Sequence, residues 1–176
     1  MKAGIDVYAH EDTWWAVNDK LNNRYAHRKK TFEHEQEFII DDYWKVLPFA
    51  AVHDVTCSGF VISEPFAGGN RLCFLTDTAY CRYRFPKINI FMIEANFSEA
   101  ILQKNVELGF IDKYRASRVF KSHMSIERVI DFLKANDLSC CREIKLLHLS
   151  NGNSSENLFK RMVQEATGIM TTVEAE

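Results

Sequence analysis

No charge of one sign dominates this sequence: 22 Lys and Arg stand against 24 Asp and Glu, for a net charge of −2. Without a strong field there is no general attraction to long nucleic acid or to an anionic membrane surface. Paired cysteine spacings are absent as well. The five cysteines are Cys57, Cys73, Cys81 and the adjacent Cys140 and Cys141. An odd count without a C-x-x-C pattern argues against a disulfide framework and a cysteine-based zinc site, and predicts reduced thiols in a cytoplasmic chain. No apolar run approaches membrane-spanning length, and Met1-Lys2-Ala3-Gly4-Ile5-Asp6 carries no apolar signal core. Repeats, low-complexity tracts and convincing linkers are missing too, so one α/β domain over residues 1–176 is expected. Hydrophobic residues make up 47% of the chain, enough to build a core and too many for a disordered protein.

The apolar patterning divides the chain. Ile5 to Ala9 reads as a strand, and Asp12-Thr13 ahead of Trp14, Trp15, Val17 and Leu21 predicts a helix from about Glu11 to Leu21. His27-Arg28-Lys29-Lys30 reads as a solvated basic loop. From Glu37 to Asp77 the pattern is a strand meander: Phe38-Ile39-Ile40, Trp44 to Val52, then Gly59 to Ile62 and Arg71 to Leu75 around a Gly68-Gly69-Asn70 turn. Ile88 to Glu94 is another apolar strand. Helices and strands then alternate. Ser98 is placed to cap a helix closed by Gly109, and Ser125 a second helix whose Ile126, Val129, Ile130 and Leu133 share one face. A strand from Ile144 to Leu149, a helix capped by Ser154 or Ser155 and a strand near Ile169 to Val173 follow.

Chemistry-bearing residues gather where apolar strands give way to polar residues: His53-Asp54 after Val52, Asp77 between Thr76 and Thr78, Glu94 after Ile93, and His148 before Leu149-Ser150. Strand ends are where a buried sheet delivers side chains to a cleft. Neighbouring Asp, Thr and Ser can orient such ligands by hydrogen bonds. His123, in Lys121-Ser122-His123-Met124-Ser125, precedes a helix. His10, His27 and His34 read as ordinary polar residues, and Asp54 as a turn residue bonding local backbone.

The succession Val46-Leu47-Pro48-Phe49 to His53-Asp54, Gly59-Phe60-Val61-Ile62, Thr76-Asp77-Thr78, Ile93-Glu94-Ala95-Asn96, Ser122-His123-Met124-Ser125 and His148-Leu149-Ser150 resembles the C-terminal two thirds of a metallo-β-lactamase-fold hydrolase. It is similar to the phosphodiesterase branch, which includes tRNA 3′-processing endonucleases and bacterial or phage cyclic-nucleotide phosphodiesterases. The match runs from about Gly4 to Val173. It implies an αββα sandwich with a two-metal site, usually zinc or manganese. His53 and His148 would each bind one ion and Asp77 would bridge them. His123 would contact the phosphate or protonate the leaving oxygen, and Glu94 would orient it.

One departure qualifies the resemblance. The family's H-x-H-x-D-H motif lies upstream of the matching part and occurs nowhere in this chain. The expectation is therefore a fold without its N-terminal strands, binding metal weakly, because catalytic zinc takes about three protein ligands. The uncovered sheet face would favour association, a homodimer included. On this reading the chain is a cytoplasmic phosphodiester hydrolase for a small nucleotide or cyclic nucleotide. The alternative is a non-catalytic binding protein retaining the fold.

Overall fold

The computed structural model describes residues 3–17, 23–66 and 68–174. Its centre is a seven-stranded sheet with strands in chain order: β3 (Phe38–Ile40), β4 (Trp44–Ala51), β5 (Cys57–Ser63), β6 (Arg71–Leu75), β7 (Ile90–Glu94), β8 (Glu143–Leu147) and β9 (Thr171–Val173). The first three pairings are antiparallel and those from β6 to β9 parallel. Thus β4, β6, β7 and β8 all end at the same edge of the sheet. Pro48 is tolerated inside β4 because its carbonyl faces away from β5, accepting from the Glu35 N–H, on a side where β3 no longer pairs.

Side-chain alternation gives the sheet two faces. In one row Leu47, Val61, Cys73, Phe91 and Ile144 lie side by side across β4 to β8. This face forms the core with Val129, Phe132 and Leu133 of α4 (Ile126–Lys134) and Phe159 and Val163 of α5 (Glu156–Thr167). On the opposite face Phe60, Ile62, Leu72, Phe74, Ile90 and Met92 are only half-buried. A two-stranded parallel sheet, β1 (Val7–His10) with β2 (Lys29–Phe32), covers part of it. Buried Phe32 packs edge-on against Phe60, with ring centroids 5.6 Å apart, and stacks on Phe38. Outside that pair lies α1 (Glu11–Val17), whose Trp14 Nε1 donates to the Lys30 carbonyl. The layer order is therefore α, β, β, α, as expected.

Several local expectations need correction. The strand expected from Ile5 begins at Val7. The first helix is described to Val17, and Leu21 lies outside the described residues. The basic stretch is not a loop: Asn23–Arg28 is a 3₁₀ helix and Lys29 begins β2, while Arg28 and Lys30 pair with Asp6. Ser125 caps α4 through its side chain, but Ser98 and Ser155 make no such cap. Instead Ser98 Oγ donates to Glu127, ahead of α2 (Glu99–Glu107). Helix α3 (Lys113–Ser122), capped by the Asp112 carboxylate, was not anticipated.

His34 and His10 lie where the two sheets meet. Their rings stack at 4.7 Å, and His34 Nε2 is 2.8 Å from Ser58 Oγ on β5. Burial, followed by the charge of His10, lowers the His34 pKa; Glu33, Glu35 and Asp12 oppose the shift without cancelling it. As pH falls through the ordinary histidine value near 6.5, the unfolded chain takes up this proton first, so folding free energy drops until the folded group titrates. Urea unfolding between pH 8 and 5 is therefore expected to show a greater loss of stability in the wild type than in His34→Gln. Parallel pH profiles for the two proteins would contradict this.

Candidate metal and acid-base site

The common strand edge collects the site. His53 follows β4 and Asp77 follows β6, while Glu94 ends β7 and His148 follows β8. Asp77 and His148 both take left-handed backbone conformations, with φ of 53° and 54°. That region is uncommon for residues other than glycine and costs roughly 1–2 kcal/mol, though Asp and His are among those enriched there. It turns both side chains back over the end of β7. His148 Nδ1 is 3.6 Å from Asp77 Oδ1 and 3.6 Å from Glu94 Oε1.

His123 arrives from the other direction. It terminates α3, and the following residues extend the sheet: Phe97 bridges Ser125 in parallel, the Asn96 N–H donates to the Met124 carbonyl and the Ile126 N–H to Phe97. The His123 ring is thereby held at Glu94, with Nδ1 2.5 Å from Oε1. Glu94 is fully buried, and its other oxygen accepts from the Thr78 N–H. The bond to Glu94 raises the His123 pKa against the opposing effect of burial. With the Nδ1 proton directed to Glu94, Nε2 is the free nitrogen.

Two residues tie these elements together. Buried Thr78 accepts from the Val52 N–H through Oγ1, and the Ala79 N–H donates to Val52, locking the ends of β4 and β6. Asn96 Nδ2 donates to the His148 carbonyl. The sequence marks Thr78 only as one of the polar neighbours able to orient a ligand, and gives Asn96 no role; neither carries a charge to single it out.

Asp77, His123 and His148 each offer a ligand atom, all within 4.8 Å of one another. His148 Nδ1 is buried without a hydrogen-bond partner. One carboxylate and two imidazoles make a donor set suited to a divalent transition metal. Two atoms about 2.1 Å from a tetrahedral zinc lie about 3.4 Å apart, close to the His148–Asp77 separation, so these residues fit an ion. His53 lies beside this group, its ring centroid 5.4 Å from that of His123. Its Nδ1 faces the Ser122 carbonyl and its Nε2 the Asp54 carboxylate, which also pairs with Arg118. Among the described residues one group, Asp77, His123 and His148, has its ligand atoms all within 4.8 Å of one another, and His53 lies outside it. Asp54 bonds side chains rather than the local backbone expected from the sequence. A sulfur ligand is disfavoured nearby: burial, then Asp77, Asp54 and Glu94, push the Cys57 thiol up.

The chain has the metallo-β-lactamase fold. It aligns with the metallo-β-lactamase fold protein YhfI from Bacillus subtilis at TM-score 0.68 and 14% identity, over 96% of this chain and 61% of that one. Zinc-bound PqqB from Methylobacterium extorquens aligns at 0.61 and 16%, over 96% and 62%. The short form of human tRNase Z aligns at 0.54 and 15%, over 97% and 65%. The chain therefore spans a little over three fifths of the length of these structures. No protein-family model and no curated protein matches it. Among the described residues no helix is long and apolar enough to cross a membrane.

The cluster makes a direct prediction about Mn2+, a hard ion that avoids the five thiols. Electron paramagnetic resonance titration of the purified chain is expected to show binding that Asp77→Asn and His148→Ala each weaken at least about tenfold. His53→Ala should leave it within about threefold. Equal binding by wild type and the Asp77→Asn/His148→Ala double variant would contradict the cluster.

Proposed function

We propose that the chain is a metal-dependent phosphodiester hydrolase acting on a nucleotide or cyclic nucleotide. The observation that carries this reading is the couple of buried Glu94 with half-buried His123, set against the Asp77–His148 pair. A fixed proton donor beside a candidate ion site is what displacement at phosphorus requires. The likeness to a tRNase Z supports the same choice of chemistry, since a ribonuclease cleaves a phosphodiester.

Asp77 and His148 would hold the ion. A divalent ion bound there supplies Lewis-acid stabilisation of charge developing on a phosphoryl oxygen. We assign His123 to the substrate rather than the ion: its Nδ1 bond to Glu94 favours the protonated ring, which can donate to an oxygen, and of the three clustered groups Asp77 and His148 are then left to the ion. As water forms the new bond to phosphorus, the bond to the leaving oxygen breaks and that oxygen takes the Nε2 proton of His123. The proton lost by water then returns to His123. Products are an alcohol and a phosphomonoester, and no oxidant or second substrate is needed.

A second reading, a non-catalytic nucleotide-binding protein, draws on the engagement of His53 by Asp54, which leaves few ligands for metal. The assay is hydrolysis of bis(p-nitrophenyl) phosphate and of 3′,5′-cyclic AMP with Mn2+. Turnover is expected to vanish in Asp77→Ala and to fall about 10²- to 10⁴-fold in His123→Gln, the usual range for a lost general acid. Full activity in Asp77→Ala would sink the site assignment. Nucleotide binding without any metal-dependent turnover would favour the second reading.

A further inference from the structure

A cleft of about 640 Å³ is lined by residues close in sequence to Asp77 and His123 of the cluster and to His53 next to it. Val52 precedes His53, Ala79 and Tyr80 follow Asp77, and Phe120 and Lys121 precede His123. Its charged lining is Arg84, Lys121 and Arg128 against a single acid, Asp131. This is a local excess of positive charge on a protein whose overall charge is −2.

The aromatic part of the lining is open to solvent: Tyr80 is 50% exposed and Phe120 40%. Phe120 is also held in place. The Arg128 guanidinium lies 4.1 Å from its ring centroid, while Nη1 of the same arginine donates to the Ala79 and Phe120 carbonyls. These bonds tie α4 to the strand-end loop carrying Tyr80 and to the last turn of α3. The result is a concave apolar surface with the Phe120 ring held in place and a cationic rim. Apolar walls suit a flat heterocycle, and Lys121 and Arg84, both exposed, suit a phosphate at its edge.

We propose that this cleft binds the base and 5′-phosphate of a nucleotide unit that the reaction leaves intact, as in a dinucleotide whose scissile phosphodiester lies at the metal site. By contrast 3′,5′-cyclic AMP, whose one phosphate reacts, would engage the cleft through its base alone. The assignment rests on the phosphodiester-hydrolase reading, and it names residues that select the substrate rather than perform the reaction. Tyr80 and Phe120 receive the base. Lys121 and Arg84 receive its phosphate, and Asp131 accepts from an exocyclic amine.

Calorimetric titration of the metal-free full chain with AMP, ribose 5-phosphate and inorganic phosphate tests it without involving the metal site. AMP is expected to bind about tenfold or more tightly than ribose 5-phosphate, the difference measuring the base. Phe120→Ala should remove most of that preference. Lys121→Gln, a change at an exposed side chain, should weaken AMP and ribose 5-phosphate alike, by about three- to tenfold. Equal affinity for the two ligands, or AMP binding unchanged in both variants with native circular dichroism, would overturn the proposal. Hydrolysis of bis(p-nitrophenyl) phosphate by a protein with no AMP preference would remove the cleft and leave the hydrolase reading. AMP preference without metal-dependent turnover would do the reverse.

Discussion

The site depends on one fully buried carboxylate. Glu94 closes β7 at the centre of the parallel part of the sheet, where leaving it unpaired would be strongly unfavourable. The Thr78 N–H and His123 Nδ1 meet its two oxygens. Each partner brings a functional group with it. Thr78 places Asp77, its neighbour in sequence, and His123 brings the end of α3 onto the sheet. Satisfying Glu94 therefore assembles most of the site from three distant parts of the chain.

Strand direction does the rest. Because β4, β6, β7 and β8 run the same way, their carboxyl ends form one edge, the usual location of ligand sites in open α/β sheets. Left-handed backbone at Asp77 and His148 turns two side chains inward that would otherwise continue along the strands. Such strain concentrates at functional positions, held by the surrounding structure. Here the surroundings are the Thr78 and Asn96 hydrogen bonds on either side of Glu94.

The sheet was largely legible in the sequence, because half-buried strands announce themselves by alternation and the meander by its turns. The strand-end placement of Asp77, Glu94 and His148 was legible for the same reason. The ring partners of His53 were not: nothing local in Val52-His53-Asp54 says that Nε2 turns to the adjacent Asp54, since that depends on Ser122 arriving 69 residues later to hold Nδ1. Helix α3 escaped because its only buried member is Ser122, so it has no apolar stripe to read. The two-stranded sheet was half-read, since β2 is rich in charge and buries only Phe32. Net charge misled in a subtler way. A total of −2 describes the whole chain, whereas a ligand meets the local excess contributed by Arg84, Lys121 and Arg128.

The central claim is that this edge of the sheet is a nitrogen- and oxygen-donor metal site. Zinc K-edge X-ray absorption on the chain loaded with one equivalent of zinc tests it most directly, because the five free cysteines offer an obvious competing site. The account predicts a shell of nitrogen and oxygen at about 2.0–2.1 Å, with imidazole outer-shell scattering that weakens in His148→Ala. A dominant sulfur shell at about 2.3 Å, unchanged in that variant, would place the ion on the thiols and contradict the account.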